Sequence, residues 1–540
     1  MLAAVQDTVL QSRRKSPTAK SAARNTNFVF GVSRTINAGS GFLSKTANFG
    51  ISHTLIGDLF MKYATISSPQ GSARTRIRNA VKEGLWWAKF GNDTLVYSAD
   101  KSWADASRAA VADSAPSLQS EGDIRKGDMH VVVQKGRTFQ QAFPDIRVIL
   151  DKGRFLVVEV TKARAKTLCS DDEVCFAIMP LAENSIVFDA PAPSRDRSAR
   201  AETADVVATL SETSFTLALA HLVSFTTRLS ISQSYQNAAD WAESELAGMG
   251  YAARQETVNV PGPGSSANVV ATKQGTGGAR QLVIAVAHLD SVNHPGGPAA
   301  PAPGADDNGS GSAGILTLAA AMAGHSFEHD VMFILFGGEE QGLHGSTQFV
   351  AALPATDKTR VKAVLNMDMI GHVNTTPQTV LLEGAALSQN LIDGLAAAAA
   401  EFTGLAVQTS LNPFASDHVP FLNDGVPAVL TIEGADNAND AIHTGADTLD
   451  RVDPGFAMEI LRMNAGFLAE QAGVVAVAQP GTGAPCGCGD DAPSEAARLL
   501  AHHYQALMAQ YARLGATGQL QPHDVAAWQD LRAQHDLLMS

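Results

Sequence analysis

The amino-acid sequence predicts an α/β protein with a mixed, mostly parallel central sheet covered by helices. Short, nearly continuous apolar runs recur between residues 282 and 432, and such runs suit strands that are buried on both faces of a sheet. Segments with helical periodicity separate the runs, which is typical of βαβ units. Because a single hydrophobic core stops growing near about 300 residues, a chain of 540 residues also predicts smaller regions beside this domain.

The elements of the predicted domain, residues 205–480, follow one another in alternation. We expect its first clear helix at Asn237–Leu246, where Ala238, Trp241 and Glu245 recur at helical spacing and Gly250 follows. The predicted strands are Leu282–Ala287, Val331–Phe336, Val364–Met367 and Ala428–Ile432, and the predicted helices between them are Gly311–Met322, Thr347–Ala352 and Leu387–Phe402.

The regions outside this domain show weaker patterns. Residues 1–110 are basic and poorly periodic, so we assign them no fold and expect part of them to be disordered. Residues 120–190 predict a small β-rich domain, because β-branched runs bounded by Gly or Asp recur there. These runs are Met129–Val133, Val148–Leu150 and Phe155–Val160. For residues 490–540 the sequence predicts a helical hairpin, with helices at Ser494–Leu514 and Val525–Leu538.

Residues 191–204 have the composition of an exposed linker. Pro191 to Arg200 combines Pro, Ser and three arginines, which is typical of segments open to proteases. The residues before the linker are therefore predicted to be either a propeptide or an accessory domain, removed or displaced in the mature protein. A permanent linker between two domains is the alternative. An intact N-terminus on the fully active protein, measured by mass spectrometry, would exclude removal.

The charge distribution excludes one class of partner. The net charge is −14, and between Gln281 and Asp450 the only basic residues are Lys358, Arg360 and Lys362. Nucleic-acid binding requires clustered cations that neutralise the phosphate backbone, so this region does not bind nucleic acid through such a surface. An acidic region instead favours metal ions and amines as ligands.

The sequence gives no sign of a membrane segment. Met1 is not followed by an apolar stretch behind a basic one, so no secretory signal is predicted there. A run of 18 or more apolar residues is also missing, and we therefore predict no transmembrane helix.

Residues of metal-ligand type follow three of the predicted strands directly or closely. His288 follows the first strand, Glu339 and Glu340 come shortly after the second, and Asp368 follows the third. The carboxyl ends of parallel strands meet at one edge of an open α/β sheet, where ligands bind. We therefore expect these side chains to lie together.

Two further residues belong to the same prediction. Asp307 lies just before the predicted helix Gly311–Met322, where free N–H groups are expected to hold its carboxylate while it faces a cation. His443 lies in a loop after the last predicted strand. Two imidazoles and three carboxylates suit Zn²⁺, with Co²⁺ or Mn²⁺ as substitutes. Since one catalytic zinc takes three protein ligands, five ligands predict two metal ions that share one carboxylate, an arrangement suited to hydrolysis.

Residues 283–450 resemble the zinc aminopeptidases of peptidase family M28, and the resemblance extends at most over residues 205–470. The matching motifs come in the family's order and are specific in combination. They are Ala287-His-Leu-Asp-Ser291, Gly304-Ala-Asp-Asp-Asn-Gly-Ser-Gly311, Phe336-Gly-Gly-Glu-Glu-Gln-Gly342, Asn366-Met-Asp-Met-Ile-Gly371, Ser416-Asp-His418 and Ile442-His-Thr444.

This resemblance implies a role for each ligand candidate. Asp307 would bridge two zinc ions, one of which is completed by His288 and Asp368. The other ion would be completed by Glu340 and His443. The family is commonly exported, so the resemblance also implies a secreted or periplasmic protein that acts on peptides with a free N-terminus.

The resemblance implies further roles around the ions. Glu339 would be the general base that takes a proton from water and passes it to the leaving amine. Asp290 would orient the imidazole of His288, and Asp417 and His418 would support the site. Some relatives place a tyrosine hydroxyl near the oxyanion. Because this sequence has no tyrosine between Tyr251 and Tyr504, the oxyanion donor stays unassigned.

The sequence favours an aminopeptidase over four other functions, but to different degrees. A carboxypeptidase needs Arg or Lys to hold the substrate carboxylate, whereas a free α-ammonium group would be stabilised beside Glu339 and Asp368. An aminopeptidase is therefore favoured. A glutaminyl cyclase with one zinc, or a receptor that has lost catalysis, is an alternative, although a receptor is expected to have lost ligands. A serine hydrolase is disfavoured because neither GxSxG nor HExxH is present.

Overall fold

Strands of the protein pair into two sheets in the computed structural model. The structure describes residues 60–67, 85–98, 117–125, 127–168, 176–191, 200–262, 264–476 and 532. The larger sheet contains thirteen of the described strands, and four others form a second sheet. The predicted hairpin of residues 490–540 lies outside the described residues, apart from residue 532, and so does most of the predicted linker.

The centre of the larger sheet is parallel. The half of the sheet that contains the parallel strands is formed by residues 252–433. Its strands are β10 (Ala252–Val258), β11 (Ser266–Lys273), β12 (Leu282–His288), β13 (Asp330–Phe336), β14 (Val361–Met367), β15 (Thr379–Gly384), β16 (Ala406–Ser410) and β17 (Ala428–Glu433). β12 pairs in parallel with both β13 and β14, and β14 pairs in parallel with β17. β10, β11 and β15 add antiparallel pairs, so the mixed α/β architecture predicted from the sequence is confirmed.

The apolar run of β12 is explained by cover on both faces. Val283, Ala285 and Ala287 face one hydrophobic cluster, which also contains side chains of the helices Glu212–Ser224, Gly311–Ala323 and Pro454–Ala472. The alternate residues of the strand face a second cluster, to which the helices His344–Ala352 and His418–Asn423 contribute. Because neither face meets water, alternation of polar and apolar residues is lost.

The helices of this region agree with their predicted positions to within a few residues. The helix predicted at Asn237–Leu246 spans Gln233–Gly248, and the hydroxyl of Ser232 caps it by accepting a hydrogen bond from the N–H of Tyr235 at 3.0 Å. The helix predicted at Leu387–Phe402 spans Gln389–Phe402. A helix that was not predicted, Ala201–Ala208, begins within the predicted linker and ends beyond it.

The N-terminal strands differ from the expectation. β1 (Phe60–Ser67), β2 (Leu85–Phe90) and β3 (Asp93–Ser98) are strands within residues 1–110, to which the sequence assigned no fold. Together with β4 (Ser117–Arg125) and β9 (Ser185–Asp189) they extend the larger sheet, because β9 pairs with β16. One hydrophobic cluster includes side chains from both halves of this sheet. The β-rich N-terminal region is thus in direct contact with residues 361–433.

The second sheet consists of β5 (Met129–Gln134), β6 (Arg147–Lys152), β7 (Phe155–Glu159) and β8 (Phe176–Pro180), in the order β6-β7-β5-β8. All of its pairs are antiparallel. Short helices at Thr138–Ala142 and Lys162–Leu168 follow β5 and β7. The turns after β5 and before β7 contact the larger sheet, because Lys135 lies beside Asp368 and Arg154 pairs with Glu383.

Within the described residues, no individual helix combines the length and apolarity needed to cross a membrane. The helices Ala201–Ala208 and Glu212–Ser224 meet that criterion only as a bent pair, by length and composition.

Candidate metal centre

Three neighbouring parallel strands deliver the first candidate ligands. His288 is the last residue of β12, and Asp368 directly follows β14. Glu339 and Glu340 lie in the loop that follows β13. Because β13, β12 and β14 run side by side in parallel, their carboxyl ends place these side chains at one edge of the sheet.

Asp307 reaches the same edge from a turn, residues Ala305–Ser310, that precedes the helix Gly311–Ala323. The backbone N–H groups of Asp306 and Asp307 each donate to the carboxylate of Asp447 at 2.9 Å. The N–H of Gly311 is taken by the side chain of Asn308 at 2.9 Å. The expectation that helix N–H groups hold the Asp307 carboxylate is wrong, because neither oxygen of this carboxylate accepts a hydrogen bond and the N–H of Gly311 is taken by Asn308. Asp307 instead keeps both of its oxygens for other partners.

The carboxylate of Asp307 lies between two imidazoles. Its Oδ1 is 3.3 Å from Nε2 of His288, and its Oδ2 is 3.0 Å from Nε2 of His443. Asp368 Oδ1 lies 3.4 Å from the first imidazole, and Glu340 Oε2 lies 3.1 Å from the second. The structure thus brings all five candidate ligands together in two groups that meet at Asp307.

The buried polar atoms of this cluster fit a cation. Among the described residues, His288 Nε2, both oxygens of Asp307, Asp368 Oδ1 and Glu340 Oε1 are buried without a hydrogen-bond partner. Such atoms are costly in a protein interior unless a ligand satisfies them. Donor atoms of His288, Asp307 and Glu340 also lie within 4.8 Å of one another, as do those of His288, Glu339 and Asp368. Imidazole nitrogen with carboxylate oxygen is the donor set that zinc prefers.

Asp290 contacts both the imidazole and the loop of Glu339 and Glu340. Nδ1 of His288 lies 3.2 Å from the backbone carbonyl of Asp290 and 3.6 Å from its carboxylate, so this residue lies where the orienting role was predicted. The same carboxylate accepts hydrogen bonds from the N–H groups of Glu339 at 3.3 Å and Glu340 at 3.2 Å. Asp290 therefore contacts the imidazole and also fixes the loop of Glu339 and Glu340. The sequence did not predict the contact with the loop.

The carboxylate of Glu339 is buried beside the cluster. Its Oε2 lies 3.9 Å from Nε2 of His288, and its Oε1 faces the ammonium group of Lys135. Burial raises the pKa of Glu339 well above its ordinary value, although the charges of Lys135 and His288 oppose this shift.

Support for Asp368 comes from a residue that the sequence analysis did not single out. The hydroxyl of Ser416 donates to Oδ2 of Asp368 at 2.7 Å and accepts from the amide of Asn366 at 2.7 Å. Asp417 and His418 are buried next to it, and burial raises the pKa of Asp417 to about 7 and lowers the pKa of His418 to about 3. The only signal for Ser416 was its place in the motif Ser416-Asp-His418.

Arg228 is a second residue that sequence reasoning missed. Its fully buried guanidinium donates to the backbone carbonyls of Leu289 at 2.8 Å, Pro303 at 2.6 Å and Gly304 at 2.8 Å. It therefore ties the segment after His288 to the turn that carries Asp307. Burial lowers the pKa of Arg228 to about 10, so it stays a cation at neutral pH. No local pattern marks a residue that binds only backbone carbonyls.

The N-terminal region supplies two cations that the sequence analysis also missed. The ammonium group of Lys135 is buried 3.5 Å from Oε1 of Glu339 and 3.5 Å from Oδ2 of Asp368. Arg154 is buried nearby, in ion pairs with Glu383 and Asp436. The sequence between Gln281 and Asp450 is poor in basic residues. The folded site nevertheless contains two cations, because Lys135 and Arg154, more than a hundred positions earlier in the chain, pack against it.

Comparison with known proteins covers the part of the chain that contains these residues. Residues 268–468, which contain all the predicted ligands, match the model of peptidase family M28. Leupeptin-inactivating enzyme 1 of Streptomyces exfoliatus is 31% identical over 207 residues, which cover 37% of this chain and 43% of that protein. Probable leucine aminopeptidase 1 of Trichophyton verrucosum is 29% identical over 337 residues, which cover 56% of this chain and 84% of that protein. The chain thus spans less than half of the first relative.

Two solved structures superpose on parts of the chain. The LapA aminopeptidase of Legionella pneumophila superposes with a TM-score of 0.46 at 19% identity, covering 64% of this chain and 99% of that one. BSAP, a zinc aminopeptidase from Bacillus subtilis, superposes with a TM-score of 0.36 at 24% identity, covering 39% of this chain and 51% of that one.

Proposed function

We propose that the protein is a zinc-dependent aminopeptidase that removes the N-terminal residue of peptides, because residues 268–468 match the model of peptidase family M28. The observation that carries the proposal is the carboxylate of Asp307, which lies within 3.3 Å of His288 and 3.0 Å of His443. Relatives that bear the name leucine aminopeptidase support the choice of reaction.

We assign two zinc ions to this cluster. Asp307 is proposed to serve both ions, His288 and Asp368 to complete one, and Glu340 and His443 to complete the other. Co²⁺ or Mn²⁺ are possible substitutes. When bound, the ions act as Lewis acids that polarise the scissile carbonyl and acidify a water molecule. The unpartnered buried oxygens of Asp307 support the shared position of this residue.

Glu339 is proposed to move the protons. Its carboxylate is buried next to the ligand cluster, and Asp290 holds its backbone N–H, so its position is fixed without a metal bond. Burial also raises its pKa, which brings a carboxylate closer to the range in which it can both accept and return a proton near neutral pH. It would take the proton from the attacking water and deliver it to the leaving amine.

The charges around the cluster support an amine rather than a carboxylate as the substrate group. Glu339 and Asp368 would place negative charge beside a free α-ammonium group. A carboxypeptidase needs a cation that faces the substrate. Lys135 is close enough to serve, but its ammonium already contacts two carboxylates, Glu339 and Asp368.

Comparison of free and N-acetylated peptides tests the reaction. The zinc-loaded protein is expected to hydrolyse a leucyl peptide and to leave the same peptide intact when its N-terminus is acetylated. Equal rates on both would overturn the aminopeptidase assignment, and cleavage from the other end would favour the carboxypeptidase. Zinc content separates the glutaminyl cyclase, since that chemistry uses one ion per chain. Secretion or a periplasmic location stays a prediction, which cell fractionation tests.

A further inference from the structure

Two turns of the small N-terminal sheet carry buried cations into the candidate metal centre. Lys135 directly follows β5, and Arg154 directly precedes β7. Only 4% of Lys135 and 2% of Arg154 is exposed. The turns are tied together, because the side-chain amide of Gln134 donates to the carbonyl of Gly153 at 2.9 Å and its N–H donates to the carbonyl of Arg154 at 2.9 Å. These hydrogen bonds therefore fix the positions of Lys135 and Arg154 relative to each other.

Lys135 lies where the proposed mechanism needs the substrate. Its ammonium group is 3.5 Å from both Glu339 and Asp368, the two carboxylates beside which a substrate α-ammonium would be stabilised. A primary ammonium on a flexible stem has the same charge and donors as the N-terminus of a peptide. Both groups cannot occupy this position at once.

Arg154 binds the neighbouring part of the catalytic domain. Its Nε and Nη2 donate to the two oxygens of Glu383 at 3.1 and 3.0 Å, and its Nη1 donates to Asp436 at 3.1 Å. Removing one partner of such a buried pair leaves an uncompensated charge, which strongly destabilises the packed arrangement. The contact is also close at the backbone, since a Cβ at Gly153 would overlap the side chain of Asn437. Arg154 thus holds the turn of Lys135 in the site.

Apolar packing adds to the ion pairs. Val131, Val133 and Phe155 of the small sheet share a hydrophobic cluster with Leu430 and Ile432 of the large sheet. These side chains are buried as in a domain core. The contact between the small sheet and the large sheet is therefore packed, and separating the two would expose apolar area to water.

We propose that the segment Met129–Glu159 is an internal inhibitor, in which Lys135 occupies the position of the substrate's α-ammonium group and Arg154 anchors it. This inference rests on the proposed aminopeptidase function. A protein whose competent state is only a fraction of the population shows a weakened apparent affinity for its ligand by that fraction. Loss of the internal ammonium therefore improves the binding of every ligand with a free α-amine.

The test uses the intact, zinc-loaded chain with Lys135→Met, the double variant Lys135→Met/Arg154→Met, and Arg137→Met as the matched control. Arg137 is a cation of the same turn that pairs with Asp151 at the surface. Lys135→Met is expected to lower KM and to raise kcat/KM for a leucyl peptide about tenfold or more, with a further gain in the double variant. Arg137→Met is expected to remain within twofold of the wild type.

Two measurements keep the result interpretable. Calorimetric affinity for free L-leucine should rise with Lys135→Met, whereas affinity for N-acetyl-leucine should not, and zinc content should stay equal in all variants. An active wild-type chain whose kcat/KM and leucine affinity are unchanged or reduced by Lys135→Met overturns the inference. Failure of the proposed function looks different, since wild type and variants alike would then hydrolyse no peptide despite bound zinc. The single variant retains the ion pairs of Arg154, so it tests the inference even if the double variant unfolds.

Discussion

Asp307 and His443 lie 3.0 Å apart, Oδ2 to Nε2, although 136 positions in the chain separate them. The remaining oxygen of Asp307 faces His288 at 3.3 Å. One carboxylate thus joins the imidazole at the end of β12 to the imidazole of a loop after β17. The mechanism proposed here depends on this relationship, because it places two groups of ligands around one shared residue.

Asp307→Ala is expected to remove metal, since the change deletes the residue proposed to serve both ions. Zinc content of the purified variant, measured by atomic absorption after dialysis, should fall well below that of the wild type. Asp393→Ala, on the exposed side of the helix Gln389–Phe402, is the matched control and should keep its zinc. A variant that loses Asp307 but binds zinc like the wild type would refute the shared position.

Glu339→Gln is expected to separate metal binding from turnover. The amide keeps the shape of the side chain but cannot accept a proton, so kcat should fall about 10²–10⁴-fold. Zinc content should remain near the wild-type value. Glu340→Gln is the informative neighbour, because it changes a proposed ligand and should lose metal as well as activity. Near-normal turnover in Glu339→Gln would mean that another group is the base.

Ser416→Ala is expected to weaken zinc binding without abolishing it. The variant loses the 2.7 Å hydrogen bond that orients Asp368, and loss of such a partner usually costs about 10–100-fold in metal affinity. Competition with a chelator of known affinity measures this change. Ser416→Thr keeps a hydroxyl and should restore much of the affinity. If alanine and threonine behave alike, the hydrogen bond has no part in metal binding.

His418 should make the metal-free protein sensitive to acid. Burial lowers its pKa to about 3, whereas an exposed histidine titrates near about 6.5. Between these values the unfolded chain takes up a proton that the folded chain cannot. The contribution of neutral His418 to stability is therefore complete above pH 6.5 and is lost as the pH falls towards 3.

The size of this effect follows from the shift. At about pH 5 the loss amounts to about 2 kcal/mol, because one pKa unit corresponds to about 1.4 kcal/mol. Thermal unfolding of the metal-free wild type and His418→Gln at pH 8 and pH 5 measures it. The glutamine variant should lose less of its melting temperature between these two pH values. Parallel losses in both proteins would show that His418 titrates normally.

Local patterns predicted the residues that follow strands. His288 and Asp368 come directly after apolar runs, and the register of parallel strands then brings them together. The rest required contacts between distant parts of the chain. Lys135 meets Glu339 across 204 positions, and Arg154 meets Glu383 across 229. Nothing in the sequence around a lysine shows which carboxylate it will meet.

The backbone near Asp307 was unpredictable for a related reason. A motif with Asp before a helix suggests that the carboxylate caps the helix. In this protein neither oxygen of Asp307 accepts a hydrogen bond, and Asp447, far along the chain, holds the turn before the helix by accepting from the N–H groups of Asp306 and Asp307. A contact with so distant a residue leaves no trace in the local sequence. The residue types of the site could therefore be predicted, whereas its supporting hydrogen bonds could not.

Metal stoichiometry tests the central claim most directly. Anomalous diffraction at the zinc edge from crystals of the active protein should show two peaks on either side of Asp307. A strong chelator should abolish aminopeptidase activity, and added zinc should restore it. A fully active protein that contains no metal, or that is indifferent to the chelator, would contradict the account.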